Sequence, residues 1–420
     1  MSIRGKAHIA GAYEHPDRKI PGKSIAQVHA EVALGALADA GLTLSDVDAY
    51  FCAADAPGFG PLSMADYLGL SRLRYVDSTE TGGSSYLVHV GHAAAAIAAG
   101  KCTVALITLA GLPRSQSSPG WANGVSPRSI IRAPRSTSDE EARISDMQRM
   151  PRPSASWSAP EAAFEQPFGP TTVSLYALAA RRHMHEYGTT SAQLAAIKVA
   201  ASQHAQYNPN ALLRNPVTVE EVLDSPMISD PLHRLDCCVI TDGGGALIVT
   251  SPEVAASLPR QTVAVLGHGE SPKLAANGRI DLTYTGAVWS GPRAFEEAGV
   301  RPADIDYASI YDSFTITVLQ TIEDLGFCEK GKGGAFVADG ALQAPHGALP
   351  FNTDGGGLCN NHPTNRGGMT KVIEAVRQLR GEASAPVQVP DCELALAHGN
   401  GGSLGTRSAA ATLILGREDQ

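Results

Sequence analysis

Hydrophobic and polar positions divide this 420-residue chain into segments of contrasting period. Residues 7–13 (Ala-His-Ile-Ala-Gly-Ala-Tyr) read as a strand, and from Ser24 the apolar residues recur at three and four, which predicts a helix ending at Gly41. Asp46–Ala54 reads as a second strand anchored by Val47 and Phe51, and Tyr75–Ser85 as an extended run entering a Gly/Ser-rich turn. An Ala-rich helix follows through Ile97 to Gly100. Thr103–Leu109 is apolar throughout, as a strand buried on both faces of a parallel sheet would be. Strand, helix and strand in repetition predict an α/β fold with right-handed crossovers.

Between about 113 and 170 the periodicity is lost in a Ser-, Pro- and Arg-rich stretch. So long a patternless segment within a compact domain is read as a functional excursion or a lid. Helical spacing returns at Ser174–Tyr187 and Ser191–Tyr207, and Asp236–Gly245 leads into a strand at Ala246–Thr250. After Gln261 the first order of elements starts again. A strand (Thr262–Gly267), a helix (Pro292–Ala298), a strand (Asp306–Tyr311) and a helix (Thr315–Leu325) are followed by a Gly-rich loop (Asn352–Asn365), a helix (Gly368–Leu379) and two strands (Glu393–His398 and Ala409–Leu415). The recurring order predicts two similar stacked halves, 1–260 and 261–420, with an excursion inserted in the first.

Composition narrows the function classes. Hydrophobic residues make up 43% without a long uncharged apolar run, which predicts a globular protein with no membrane span. The start, Met1-Ser2-Ile3-Arg4-Gly5-Lys6, lacks the apolar core of a secretory signal, so the expected location is cytoplasmic. A formal net charge of -9 argues against a nucleic-acid backbone as partner. Seven cysteines, an odd number with no CxxC pair, support neither a zinc site nor a disulfide framework, and no metal is expected.

Chemistry concentrates where Tyr311-Asp312-Ser313-Phe314 closes an apolar run and opens a helix, because α/β folds gather their sites at such junctions. Three Gly-rich loops, 81–85, 352–357 and 399–405, each follow a strand-like run and can bring backbone N–H groups close to a ligand. None carries GxxxxGK[ST] or a strand-to-helix GxGxxG, which disfavours nucleotide binding of those kinds.

In their order along the chain, Leu175–Met184, Asp236-Cys237-Cys238, Tyr311–Phe314, Asn352–Gly356, Asn361-His362-Pro363, Gln378–Glu382 and His398–Gly402 resemble thiolases of the sterol-carrier-protein type. The resemblance implies a five-layered αβαβα sandwich, a homodimer, an acyl-CoA ligand in which coenzyme A is part of the substrate, and a loop domain inserted at about 113–235. Thiolases place a nucleophilic cysteine in the turn before the N-terminal Ala-rich helix. Counting back from that helix puts the position at Gly83, and pairing the turn's glycine and serine puts it at Glu80; neither is cysteine. Tyr311 stands where a histidine is usual, His362 is retained, and His398 lies where other thiolases carry a second cysteine.

Without a thiolate the usual acyl-enzyme cannot form. The remaining tyrosine, histidines and backbone donors suit proton transfer beside a thioester whose enolate is held by hydrogen bonds. The Tyr311 motif and the Gln378-Leu379-Arg380-Gly381 helix also resemble the lipid-transfer-protein-type aldolases of steroid side-chain degradation, which implies retro-aldol cleavage of a β-hydroxyacyl-CoA with tyrosine as an acid/base group and an OB-fold, zinc-ribbon accessory protein as a possible partner. The expected acid/base residues are Tyr311, His362 and His398, with Gly83, Ser84 and Gly401 as turn and oxyanion groups.

Each residue also has a plainer reading. Tyr311 also fits a core residue, the histidines fit donors to loop carbonyls, Asp312 fits the cap of the following helix, Glu80 a solvated carboxylate, and Cys237 and Cys238 buried packing. Arg128, Arg132 and Arg135 fit either CoA phosphates or a solvated loop. Two other functions stay open: an acyltransferase using another nucleophile, such as Cys359, Ser84 or Ser85, and a non-catalytic acyl-CoA or lipid-binding subunit.

Overall fold

Period-two alternation on the strands sets the layers. A computed structural model describes residues 2–115, 165–364 and 366–417. Strands β1 (His8–Glu14), β2 (Ala49–Phe51), β3 (Tyr75–Asp77), β4 (Val104–Gly111), β5 (Gly243–Thr250), β6 (Val263–Lys273), β7 (Tyr307–Ile310), β8 (Leu394–Gly402) and β9 (Ser408–Arg417) form one sheet in the order β3-β2-β4-β5-β1-β6-β9-β8-β7. The two halves of the sheet meet edge to edge through two residue pairs, His8 with Ala264 and Ile9 with Val263.

The halves repeat each other. In the first, β2 pairs in parallel with β3 and β4, and β4–β5 and β5–β1 are antiparallel. In the second, β7–β8 is parallel, β8–β9 and β9–β6 are antiparallel, and a single parallel bridge from Ala308 to Phe351 takes the place of β3. β4 is buried on both faces as expected, but within a mixed sheet, because its second neighbour, β5, runs antiparallel.

Two helices, α2 (Ser85–Ala98) and α6 (Gly368–Arg380), pack between the halves, and their apolar residues share one cluster with Ala105, Ile107, Tyr307, Ala395 and Ala397 of the inner strand faces. The outer face of the first half is covered by α1 (Ile25–Ala40), entered through a Ser24/Gln27 capping box and closed by Gly41 at φ 72°. The outer face of the second is covered by α4 (Ala287–Ala298) and α5 (Thr315–Asp324), together with α3 (Thr172–Tyr187). Helix, sheet, helix, sheet, helix is the five-layered arrangement expected.

The sequence reading began α4 at Pro292, since proline ordinarily starts or breaks a helix. The helix starts five residues earlier and accommodates Pro292 in its second turn. The helix Pro61–Leu68 and the hairpin of Met227–Ser229 with Leu232–His233 had no periodic signal, being only a few residues each.

Candidate active site

β7 delivers Tyr311 to the centre of the molecule. Tyr307 faces the inner cluster while Ala308 and Ile310 face the outer one, so Tyr311, with the parity of Tyr307, points inward. Its backbone N–H donates to the His398 carbonyl at 2.9 Å, extending the β7–β8 ladder by one residue. The Tyr311 hydroxyl lies 2.7 Å from His362 Nε2. It also accepts the N–H of Gly367, immediately before α6. Burial, followed by neighbouring Tyr176, pushes the Tyr311 phenol well above its ordinary pKa, and burial drives His362 down to about 4. At neutral pH the couple is therefore a phenol against a neutral imidazole. Among the described residues His362 Nδ1 has no hydrogen-bond partner.

Both residues line a cavity of 470 Å³ that also reaches Gly83, Asn400, Gly401, Arg366 and Arg407. Two of the three Gly-rich loops meet on its wall, and their glycines are there for lack of space. A Cβ on Gly401 would overlap the Thr81 carbonyl oxygen, and one on Gly83 would stand 2.5 Å from the Asn400 carbonyl oxygen and 2.7 Å from Tyr311 Cζ. The Tyr311 ring thus fills the space that any side chain at position 83 would need. Because this turn opens α2, its leading N–H groups lack intrahelical acceptors and suit a developing oxyanion.

The turn serines face elsewhere. Ser84 Oγ donates to the Thr81 carbonyl at 2.9 Å and Ser85 Oγ accepts the Thr81 N–H at 2.8 Å; neither lines the cavity. Glu80 does line it, but is held by the Ala54 and Gly82 N–H groups (2.8 Å each) and by Arg366 at 2.6 Å.

His398 is not brought to Tyr311. It shares the parity of Leu396 on β8, its side chain is fully buried with Nδ1 2.9 Å from Thr412 Oγ1, and it does not line the cavity. Asp312 does not cap the helix that follows it: α5 has Phe314 at its N-cap, while Asp312 accepts the N–H groups of Gly357 (2.7 Å) and Leu358 (3.0 Å) and pairs with Lys371. Cys359 lies off the cavity against Lys198, Nζ to Sγ 3.1 Å. Cys237 is buried as expected, whereas Cys238 is only half-buried; both form part of the cavity wall, with desolvation pushing both thiols far above their usual range. Arg128, Arg132 and Arg135 lie outside the described residues.

Four cavity residues had no assigned role in the sequence reading. Tyr176 stacks on Phe314 with ring centroids 4.2 Å apart, and Asn400 Nδ2 reaches its hydroxyl at 3.4 Å. Arg366 and Arg407 are the cations of the wall, the latter bonded to Glu165. Tyr176 and Asn400 stood within quoted motifs, but only the fold shows which way they point. Among the described residues, no group of three or more His, Cys, Asp or Glu side chains is gathered as a metal site would require. No helix among them is long and apolar enough to cross a membrane.

The buried histidines make a prediction for stability. Burial holds His89, His204, His268 and His362 down at about 4 and His398 at about 3. The unfolded chain takes up these protons first, near pH 6.5, so each group withdraws about 1.4 kcal/mol of stability per pH unit as pH falls below that value. Glu374, pushed up to about 7 by burial and Asp354, opposes this by one group's worth. Urea melts between pH 6.5 and 5 are expected to show stability falling steeply with pH, and His398→Gln to flatten the slope. A flat profile would contradict the neutral histidine core.

Comparison with known proteins places this architecture. The Thiolase C-terminal domain-like family model matches residues 269–417. The 17-hydroxy-3-oxo-4-pregnene-20-carboxyl-CoA lyase of Mycobacterium tuberculosis is 32% identical over 400 residues, covering 92% of this chain and 94% of that protein. An acetyl-CoA acetyltransferase of Methanothermobacter thermautotrophicus is 40% identical over 251 residues, spanning 59% of this chain but only 65% of that protein. Among solved structures, the Ltp2-ChsH2(DUF35) aldolase superposes with a TM-score of 0.83 at 30% identity, covering 100% of this chain and 99% of that one.

Proposed function

Because the chain belongs to the thiolase superfamily, in the branch of thiolase-like aldolases, we propose that it is a carbon–carbon lyase that cleaves a β-hydroxyacyl-CoA by a retro-aldol reaction. The observation that carries the proposal is the Tyr311 hydroxyl 2.7 Å from His362 Nε2 inside the cavity, with glycine at position 83. Tyr311 takes the β-hydroxyl proton of the substrate and passes its own to His362. The bond between the α and β carbons breaks, the β carbon becomes a carbonyl, and its electron pair enters the thioester as an enolate. The N–H of Gly83 and the backbone at Gly401 stabilise the enolate oxygen until the α carbon is reprotonated. No step needs a covalent intermediate. A β-hydroxylated steroid acyl group is the substrate class suggested by the Mycobacterium tuberculosis lyase.

Several finer statements belong to the same proposal. They are the division at residue 260 with a loop domain at about 113–235, CoA phosphate contact by Arg128, Arg132 and Arg135, a homodimer, and a cytoplasmic setting. An accessory protein of OB-fold and zinc-ribbon type is supported by the partnered state of the Ltp2-ChsH2(DUF35) aldolase.

Incubation with a β-hydroxyacyl-CoA should yield a carbonyl product and a shortened acyl-CoA, followed by liquid chromatography and mass spectrometry. If no such thioester turns over, with or without the accessory protein, a binding subunit is the better account. The acetyltransferase relative favours a second reading, acyl transfer, for which Cys238 is the more accessible of the two thiols on the cavity wall. Its raised pKa argues against it. Intact-mass measurement after acyl-CoA treatment is expected to show no adduct, and Cys238→Ala to turn over within about threefold of wild type. A stable adduct lost in Cys238→Ala would replace the lyase with a transferase.

A further inference from the structure

The residue after Tyr311 carries a buried charge that acid–base exchange between Tyr311 and His362 does not use. The Asp312 carboxylate is 1% exposed and its partner Lys371 fully buried, with Nζ 3.1 Å from Oδ1. The same carboxylate accepts the Gly357 and Leu358 N–H groups at 2.7 and 3.0 Å. Its approach to that turn depends on Gly356, held at φ +61°, where a Cβ would overlap Asp312 Oδ2. The turn leads directly into His362, and a Cβ on Gly357 would lie 3.2 Å from the His362 ring. Lys371 stands on α6, and the N–H of Gly367 just before that helix reaches the Tyr311 hydroxyl. One carboxylate therefore ties the end of β7 to the two segments that supply both partners of the Tyr311 hydroxyl.

We propose that Asp312 and Lys371 act as a positioning pair for the Tyr311–His362 couple: the carboxylate fixes the two partners on the hydroxyl, and the ammonium offsets its charge, so that the carboxylate holds the couple without adding a net pull on the imidazole's proton. This rests on the acid–base reading of that couple. The geometry gives a charged pair here a role that an apolar pair could not fill. A carboxylate can bind two N–H groups and a cation at once, which no apolar residue can. Left alone, it would raise the imidazole's proton affinity above the level that burial sets. The titratable and charged groups around His362 are Tyr311 and Asp312 at the end of β7, Lys371 on α6, and Cys238 and Arg366 on the cavity wall. Of these, Asp312 and Lys371 act on the imidazole with opposite sign. Burial works against charge on Lys371, yet Asp312 and Asp354 raise its pKa and keep it protonated.

The test reads the His362 imidazole directly, by NMR titration of protein carrying ¹³Cε1-labelled histidine with the resonance assigned through His362→Gln. Lys371→Met is expected to raise the His362 midpoint by about one pH unit or more. The double variant Asp312→Asn/Lys371→Met, which carries neither charge, is expected to bring it back. A folded Lys371→Met protein with an unmoved midpoint overturns the proposal. If Lys371→Met does not fold, the double variant decides. It should lower kcat by up to about 100-fold at an unchanged KM, through loss of alignment, and wild-type kcat there overturns the positioning role. The titration needs no turnover, so a shifted midpoint in a protein that cleaves no β-hydroxyacyl-CoA would sustain the pair's electrostatic role while removing the lyase.

Discussion

Tyr311→Phe is expected to lower kcat by about 10²- to 10⁴-fold, the range by which a positioned general acid or base accelerates a reaction. The variant keeps the ring that packs on His362, with centroids 5.4 Å apart, and that fills the space beside Gly83. What it loses is the single oxygen that links substrate to imidazole. Its loss also leaves the Gly367 N–H and His362 Nε2 without their partner, at a cost of about 1–3 kcal/mol for a buried group stranded in this way. Against a domain of this size that lowers the melting temperature by a few degrees without unfolding it. Circular dichroism and thermal melting would therefore show a native protein while steady-state kinetics show the loss. Turnover within about threefold of wild type in a folded variant would remove Tyr311 from the chemistry.

The couple itself was legible in the sequence because both members sit at punctuated places: Tyr311 where an apolar run stops, His362 before a proline in a Gly-rich loop. Their contact spans 51 residues and was visible only through the resemblance of motif order. Strand parity could have placed His398. Ala395, Ala397, Gly399 and Gly401 fall on one face of β8 and Leu396, His398 and Asn400 on the other, so the face that packs on the 81–85 turn is that of the glycines, and of the opposite face only Asn400, nearer the strand end, reaches the cavity. Asp312 was beyond reach of local reasoning. A carboxylate next to a helix start reads as its cap, and nothing in the sequence says that a turn 45 residues away presents two N–H groups to it. Cys238 illustrates a third limit: a thiol packed in a core and one half-exposed on a cavity wall give the same sequence pattern. The duplicated halves showed only as a repeated order of elements, because strand pairing conserves topology without conserving side chains.

Gly83→Cys places a thiol at one of the two positions, Gly83 and Glu80, at which the sequence resemblance would put a thiolase nucleophile, and it is expected to yield a less stable protein without acyl-transfer activity. The new Cβ would meet the Asn400 carbonyl oxygen at 2.5 Å and Tyr311 Cζ at 2.7 Å, both inside the closest approach that real Cβ atoms show. The first contact is with backbone of β8, which is paired to β9 along its whole length and cannot retreat cheaply. The second is with a ring held by His362 and by the start of α6. Overpacking of this kind costs about 1–3 kcal/mol, and relief by rotation of Tyr311 would break its hydroxyl contact, so lyase turnover should fall along with stability. Adding Tyr311→Ala removes one of the two collisions and is expected to recover part of the lost stability while leaving turnover abolished. Intact-mass measurement with acyl-CoA would reveal whether the introduced thiol acylates. The expectation is undone if Gly83→Cys melts at the wild-type temperature and retains wild-type kcat. Otherwise the cysteine and the tyrosine compete for one volume, and the side chain at the end of β7 decides which of the two chemistries the shared scaffold can hold.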